Sequence, residues 1–405
     1  MRRFDWPRRA LLGAFLFFPA MLAYAETSSW SAWLASQIQQ HPEVLAAREQ
    51  LLGSNASADA LEQPLYNPEL STDLERNGEE DNYRVGVQQT IDWWDRRGAR
   101  RQQAGFMRSA AEALYQQQVL DKTAEWHAAN RAAAIAQAQQ QQLNALLEQV
   151  DKRQQAGDLG SIDAELTFLS LSQQLAQVAE AEAAIQKAEI RVRELLPAWA
   201  PTRGGIPDDF WPSQPDLTSD QELLQHPAVA SAHARWQSLK EEAEVTRRTA
   251  KAEPTFGVNS GRDGGESVVG LTFSIPLNVR NNFSAETRAA ERIALEAEAR
   301  FQAIYRKQRF DWQAAQATWQ RFEQQYRRWQ EVVQGRVENS AELLKRQWRT
   351  GDLSTTNYLL ALNQRTESLL AGIELEKQTR LALTEALQQS GHLNNATKSS
   401  TASTN

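Results

Sequence analysis

The stretch RTGDLSTTNYLLAL, residues 349–362, has a counterpart in QQAGDLGSIDAEL, residues 154–166. Gly-Asp-Leu stands at Gly157-Asp158-Leu159 and again at Gly351-Asp352-Leu353, 194 residues on, each time behind a long helical run. Glycine suits the left-handed position that ends a helix. Ser161 and Thr355 align as N-caps of returning helices. Asp163 and Asn357 align as well, and Asp163 suits the positive start of a helix. Each tripeptide therefore reads as a helix–turn–helix joint, and taken alone it is a common turn.

Other landmarks recur in the same order. His41-Pro42-Glu43-Val44 is matched by His226-Pro227-Ala228-Val229, Val85-Gly86-Val87 by Val269-Gly270-Leu271, and Thr90-Ile91-Asp92 by Ser274-Ile275-Pro276. Each match is weak, but an ordered set at a nearly constant offset points to a duplication. The expected organisation is a first repeat over 26–196 and a second over 221–393. Each reads helix, two strands, very long helix, turn, helix. Residues 197–220, rich in proline and glycine, form the crossover between them.

In the first repeat a helix is expected from about Pro42 to Leu61, with proline at its first position. Alternating residues predict strands at about 68–76 and 82–91. The second repeat has strands at about 254–260 and 266–275. Strands of this length fit a tilted bilayer crossing, and they equally fit an exposed hairpin. The long runs are more decisive. Each element, extended to its Gly-Asp-Leu turn at 157–159 or 351–353, has roughly 60–70 residues, or about 90–105 Å at the helical rise. Such lengths need coiled-coil support. Trp312, Ala315, Trp319, Phe322, Tyr326, Trp329 and Val333 step by threes and fours, and Leu359, Leu362, Thr366, Leu369 and Ile373 repeat that spacing after the turn. The aromatic stripe reads as core packing.

Composition narrows the function. The chain of 405 residues carries a net charge of −7, which argues against nucleic acid as a partner. It has no cysteine, so disulfides, thiolate metal sites and a lipid-bearing cysteine are excluded. The basic start, the apolar stretch Ala10–Leu22 and Ala23-Tyr24-Ala25 read as a signal peptide over 1–25. The polar tail 394–405 is expected to be disordered. His41, His127, His226, His233 and His392 show no metal-ligand spacing, and no nucleophile or phosphate-loop motif is present. The chain is not expected to be an enzyme or to hold a cofactor or metal.

Four strands cannot close a membrane barrel, and an open sheet edge cannot sit in lipid. Strands pooled from three chains would number twelve. At this point a resemblance carries further. The duplicated plan, the HPEV and HPAV starts, YNPELS entering the first strand, SIPLNVRN leaving the fourth and the two Gly-Asp-Leu turns resemble the TolC family of outer-membrane efflux channels over nearly all of the mature sequence. YNPELSTDLE and the modest length look most like its CzcC-like branch, which serves cobalt–zinc–cadmium efflux. One departure is Asp92, where the second repeat keeps Pro276.

The resemblance implies a mainly α fold with a small β part: long coiled-coil hairpins and four membrane strands per chain. It implies a homotrimer with a twelve-stranded β-barrel in the outer membrane and an α-helical tunnel through the periplasm. The function implied is passive export within a tripartite RND-type pump, with heavy-metal cations as the expected cargo and drugs or other small molecules as the alternative. A soluble periplasmic coiled-coil adaptor is the reading from another class. The implied partners are a periplasmic membrane-fusion adaptor, an inner-membrane pump and outer-membrane lipid. The tips Gly157, Asp158, Leu159, Gly351, Asp352 and Leu353 are the expected adaptor-docking residues. Glu148 and Glu342 stand nine residues before the two tip glycines, and Asp151 is a further candidate. In a trimer they become carboxylate rings if they face the lumen, which favours cations. Otherwise they are salt-bridged outer-face residues.

Overall fold

The computed structural model describes residues 30, 32–77, 80–156, 161–196 and 222–393. The expected signal peptide, crossover and tail, and the first tip Gly157-Asp158-Leu159, lie outside these. A helical segment at residues 32–39 leads in. Then follow α1 (Pro42–Glu62), strands β1 (Glu69–Asn77) and β2 (Glu80–Thr90), α2 (Arg96–Gln155) and α3 (Ser161–Leu195). After a 3₁₀ turn at Glu222–Gln225 come α4 (Pro227–Thr249), β3 (Thr255–Asp263), β4 (Glu266–Ser274), α5 (Ser284–Trp329), α6 (Gly335–Thr350) and α7 (Thr355–Ser390).

The His-Pro pairs have a specific local role. His41 caps α1 and His226 caps α4; in each, Nδ1 accepts the backbone N–H two residues on, from Glu43 and from Ala228. Pro42 and Pro227 take the first helical position, where a missing N–H costs nothing. Both caps are buried, and in each the Nδ1 lone pair faces the helix start.

The long helix α2 has 60 residues, about 90 Å of rise. Its counterpart is not one regular helix. A five-residue π turn, Gln330–Gln334, joins α5 to α6. The aromatic seam explains the break. Trp312 to Val333 keep the heptad steps and are buried or half-buried. A continued heptad would bring Arg336, Leu343 and Gln347 inward. Instead Val337, Leu344 and Trp348 are half-buried, and Leu343 is exposed. The seam has shifted by one residue, and the wider π turn absorbs it.

Packing sets the order of the helical wall. α1 and α3 lie on α2; α2 lies on α4 and α7; α4 and α7 lie on α5. One apolar cluster joins Trp30, Leu34, Val44, Trp126, Val192 and Leu195 where α1 meets α3 against α2. A second holds Leu120, Ala315, Trp319, Leu383 and Leu387. A third, toward the tip, holds Leu146, Val150, Tyr358 and Leu362, flanked by Leu344, Trp348 and Leu353.

The strands form one antiparallel sheet in the order β1-β2-β3-β4. The sheet order matches the wall order, because α1 enters β1, β2 enters α2, α4 enters β3 and β4 enters α5. β1 and β4 are the outer strands of the sheet.

Candidate functional site

The sheet has two unlike faces. Cross-strand register puts Leu70, Val87, Val258 and Leu271 in one rung. Leu74, Tyr83, Val85, Phe256, Val269 and Phe273 stand on the same face. All are exposed, Leu74 at 85% and Leu271 at 87%. A contiguous bare apolar face of this size marks contact with lipid or protein.

The opposite face is polar and pinched. Ser71, Gly86, Asn259 and Gly270 form one rung. A β-carbon at Gly86 would lie 2.9 Å from Asn259 Cβ, far closer than cross-strand β-carbons normally stand. This face is therefore concave. Among the residues whose side chains are described, it carries Glu69, Asp73, Glu75, Asp263 and Glu266 against one cation, Arg84, which pairs with Asp263 at 2.6 Å. Gln88 donates to Glu69 at 2.8 Å.

The joint from sheet to helix differs between the halves, as the Asp92 departure suggested. Asp92 accepts from the backbone N–H of Arg96 at 2.7 Å and of Arg97 at 2.8 Å, so it caps α2. The residue before each long helix is left-handed, Asp95 at φ +52° and Phe283 at φ +54°, but Phe283 makes no side-chain cap bond, and Asn281 and Asn282 accept from the N–H groups of Phe283 and Ser284 instead. Across the joint Tyr66 donates to the buried Glu253, and Arg96 donates to Tyr66 at 2.7 Å. These contacts tie the strand entry of one half to that of the other.

At the second tip Gly351 ends α6 with φ +81°. The cap of α7 is Ser354, whose Oγ accepts from the Asn357 N–H, and not Thr355 as expected. Thr355 Oγ1 instead accepts from Trp348 Nε1 at 3.2 Å, a packing role that one-residue alignment does not reveal. Asp352 is exposed and accepts from Thr350 Oγ1 at 2.6 Å, while Leu353 packs into the tip cluster.

The expected gate acids all lie at the surface. Glu148 pairs with Lys152 at 2.5 Å, and that ammonium holds its carboxyl below the usual range. Asp151 accepts from Gln155 at 2.8 Å. Glu342 is exposed on α6. His226 is held between its cap bond and the Gln388 carbonyl, and burial lowers its pKa. His233 packs edge-on against Trp236 and Phe301. Among the described residues no group of acids and histidines is placed to hold a metal ion. No helix of the described residues is long and apolar enough to cross a membrane.

No family model matches the sequence, and no curated protein does. Solved structures do. The open-state MtrE outer membrane channel of Neisseria gonorrhoeae superposes with a TM-score of 0.71 at 13% identity, over 90% of this chain and 89% of that one. The chain has the fold of outer-membrane channels. The Campylobacter jejuni CmeC outer membrane channel matches with a TM-score of 0.67 at 14% identity, over 96% of this chain and 94% of that one. The outer membrane protein VceC of Vibrio cholerae matches with a TM-score of 0.65 at 15% identity, over 90% and 96%. The architecture is thus shared almost end to end at low identity.

Proposed function

We propose that the chain is the outer-membrane channel of a tripartite efflux pump, acting as a homotrimer and as a passive duct. The observation that carries this reading is the sheet. Its apolar face is bare, its concave face is polar, and its outer strands are free for pairing. A sheet of this kind is stable in lipid only when closed. Its strands have 9 or 11 residues, about 30–37 Å at the strand rise, which suits a tilted crossing of the outer membrane. Three copies would pool twelve strands, and the helical wall would continue as a periplasmic tunnel.

In this reading the tips at Gly157-Asp158-Leu159 and Gly351-Asp352-Leu353 meet a periplasmic adaptor, which links the duct to an inner-membrane pump. Glu148, Asp151 and Glu342 would add charge near that mouth. Cations are the favoured cargo. Among its described side chains the concave face holds five carboxylates and one guanidinium, and charged rings of this sign attract cations. The resemblance to the cobalt–zinc–cadmium branch makes heavy-metal ions the leading members of that class, with drugs or other small molecules as the alternative. No tight metal site is required, because conduction needs weak binding.

Extraction from outer membranes tests the channel reading. The expected result is a trimer that needs detergent and conducts cations over anions in planar bilayers. A monomer released from the periplasm without detergent would overturn it in favour of a soluble scaffold. Gene deletion followed by growth on zinc, cobalt, cadmium, copper and drugs tests the cargo. Unchanged resistance to every metal removes the metal reading and leaves the duct.

A further inference from the structure

We infer that the turn end of the sheet binds phosphates of the outer leaflet's glycolipid through Arg76 and Arg262. The inference rests on the channel reading above, which puts the helices in the periplasm and both hairpin turns at the outer surface. Register, rather than exposure, assigns the side. Arg76 alternates with Leu70 and Leu74 on β1, and Arg262 alternates with Phe256 and Val258 on β3. Both guanidiniums therefore leave the sheet on its apolar face. Among the described side chains the one other charge on that face is Asp81, opposite Arg76. The carboxylates of Glu75, Asp263 and Glu266, near the same level, stand on the concave face. Charge is thus sorted by sign between the two faces at this end.

Level and geometry both suit a phosphorylated lipid. The ladder of β2 and β3 runs one pair further, where the Ile91 N–H donates to the Pro254 carbonyl at 3.0 Å. From Arg262 down to that pair the apolar face carries no charge among the described side chains. The span is about 27 Å along the strand, or roughly 20 Å once the strand tilts, close to the lipid-facing band of a barrel. The arginines therefore stand at headgroup level. Arg262 Nε donates to the Gly265 carbonyl at 3.0 Å, which pins the side chain at the β3–β4 turn and leaves both Nη groups to bind a ligand. The neighbouring Asp263 takes Arg84 instead. Arg76 meets Asp81 at 3.6 Å with the two side chains 75% and 81% exposed, a weak pair that a phosphate displaces. Two strands across and two residues along set Arg76 and Arg262 about 12 Å apart. That separation suits two phosphates at opposite ends of a sugar pair, each held by one planar fork.

Native mass spectrometry of the detergent-extracted, delipidated protein tests this with three probes: diphosphoryl lipid A, monophosphoryl lipid A and phosphatidylglycerol. The expected result is tightest binding of the diphosphoryl form. The double variant Arg76→Gln with Arg262→Gln should bind it about thirtyfold more weakly, and each single variant about fivefold. Arg84→Gln, on the concave face, should bind it as the wild type does. Single variants keep the test open if the double variant does not assemble. A trimer that binds all three probes equally, or whose affinity is unmoved by the Arg76 and Arg262 changes, overturns the lipid site alone. Equal weakening by Arg84→Gln also overturns it, because the effect would then be one of net charge. A soluble monomer overturns the channel reading and the lipid site with it.

Discussion

The indole of Trp329 fills the space that a side chain at residue 372 would need. A β-carbon on Gly372 would lie 2.2 Å from Trp329 Cζ2 and 2.4 Å from Cη2. Gly372 is buried in α7, and Trp329 is the last residue of α5 before the π turn. The notch thus fixes the hairpin where its helical repeat changes. Trp329 also stacks on Tyr326, with the rings 5° apart.

Gly372→Ala should therefore destabilise the protein. In an ordinary helix the same change stabilises by about 0.5–1 kcal/mol. Here a bulky, fixed ring must move, and overpacking of this kind costs about 1–3 kcal/mol. Thermal melts of the detergent-solubilised protein check the sign. Combining it with Trp329→Ala should recover part of the loss, because the two residues share one space. An increase in melting temperature for the single variant would show that the notch is slack.

The π turn shows where the sequence could be read and where it could not. The long helices, four strands and second tip were legible because glycine, proline and hydrophobic period mark them directly. The seam shift from Arg336 to Val337 is also written in the sequence, but it lies beyond the heptad run that ends at Val333. The faces of the sheet followed from alternation, whereas the pinch at Gly86 depends on Asn259, 173 residues away. The cap at Ser354 was missed because Ser161 aligns with Thr355, and alignment carries no backbone angle. Lumen-facing acids were beyond reach, since a single copy exposes Glu148 and Glu342 whichever way the tunnel wall turns.

Acid should weaken the fold. His127 is buried in α2, and desolvation pushes its pKa down to about 3, with Arg131 adding to the effect. Burial lowers His226 as well, opposed by the Gln388 carbonyl and the Asp121 carboxylate, with His392 pushing the same way as burial. Below the ordinary histidine pKa of about 6.5 the unfolded chain binds protons that the folded chain refuses. Stability from these groups is full above that pH and falls as pH drops below it. For His127 the loss at pH 5 is about 2 kcal/mol per copy. Denaturant melts between pH 7.5 and 5 check this. His127→Leu should flatten the acid side of the curve, and an unchanged slope would remove His127 as the cause.

The two sheet faces should respond oppositely to one added charge. Leu271→Arg places a guanidinium on the bare apolar face, where a charge at mid-bilayer costs about 2–4 kcal/mol. The trimer recovered from outer membranes should drop. Thr272→Arg, one residue on and on the concave face, should assemble normally and lower the preference for cations in bilayer recordings. Equal assembly defects would mean that the faces are not divided between lipid and lumen.

Asp352 tests whether the tip does more than turn the chain. Its carboxylate bonds Thr350 Oγ1 and is otherwise at the surface, so its replacement removes one local contact beside a turn already fixed by Gly351 and Ser354. Loss of an exposed contact of this kind costs roughly 0.5–1.5 kcal/mol, too little to undo a trimer. An adaptor that reads charge at the tips would respond much more strongly, since like-charge contact across an interface costs several kcal/mol. Asp352→Arg is therefore expected to abolish resistance to the pump's substrates while leaving trimer yield and melting temperature nearly unchanged. Asp158→Arg should do the same at the first tip. Wild-type resistance in both variants would reduce Gly-Asp-Leu to a helix–turn–helix joint with no part in docking, and a loss of trimer would place its role in assembly instead.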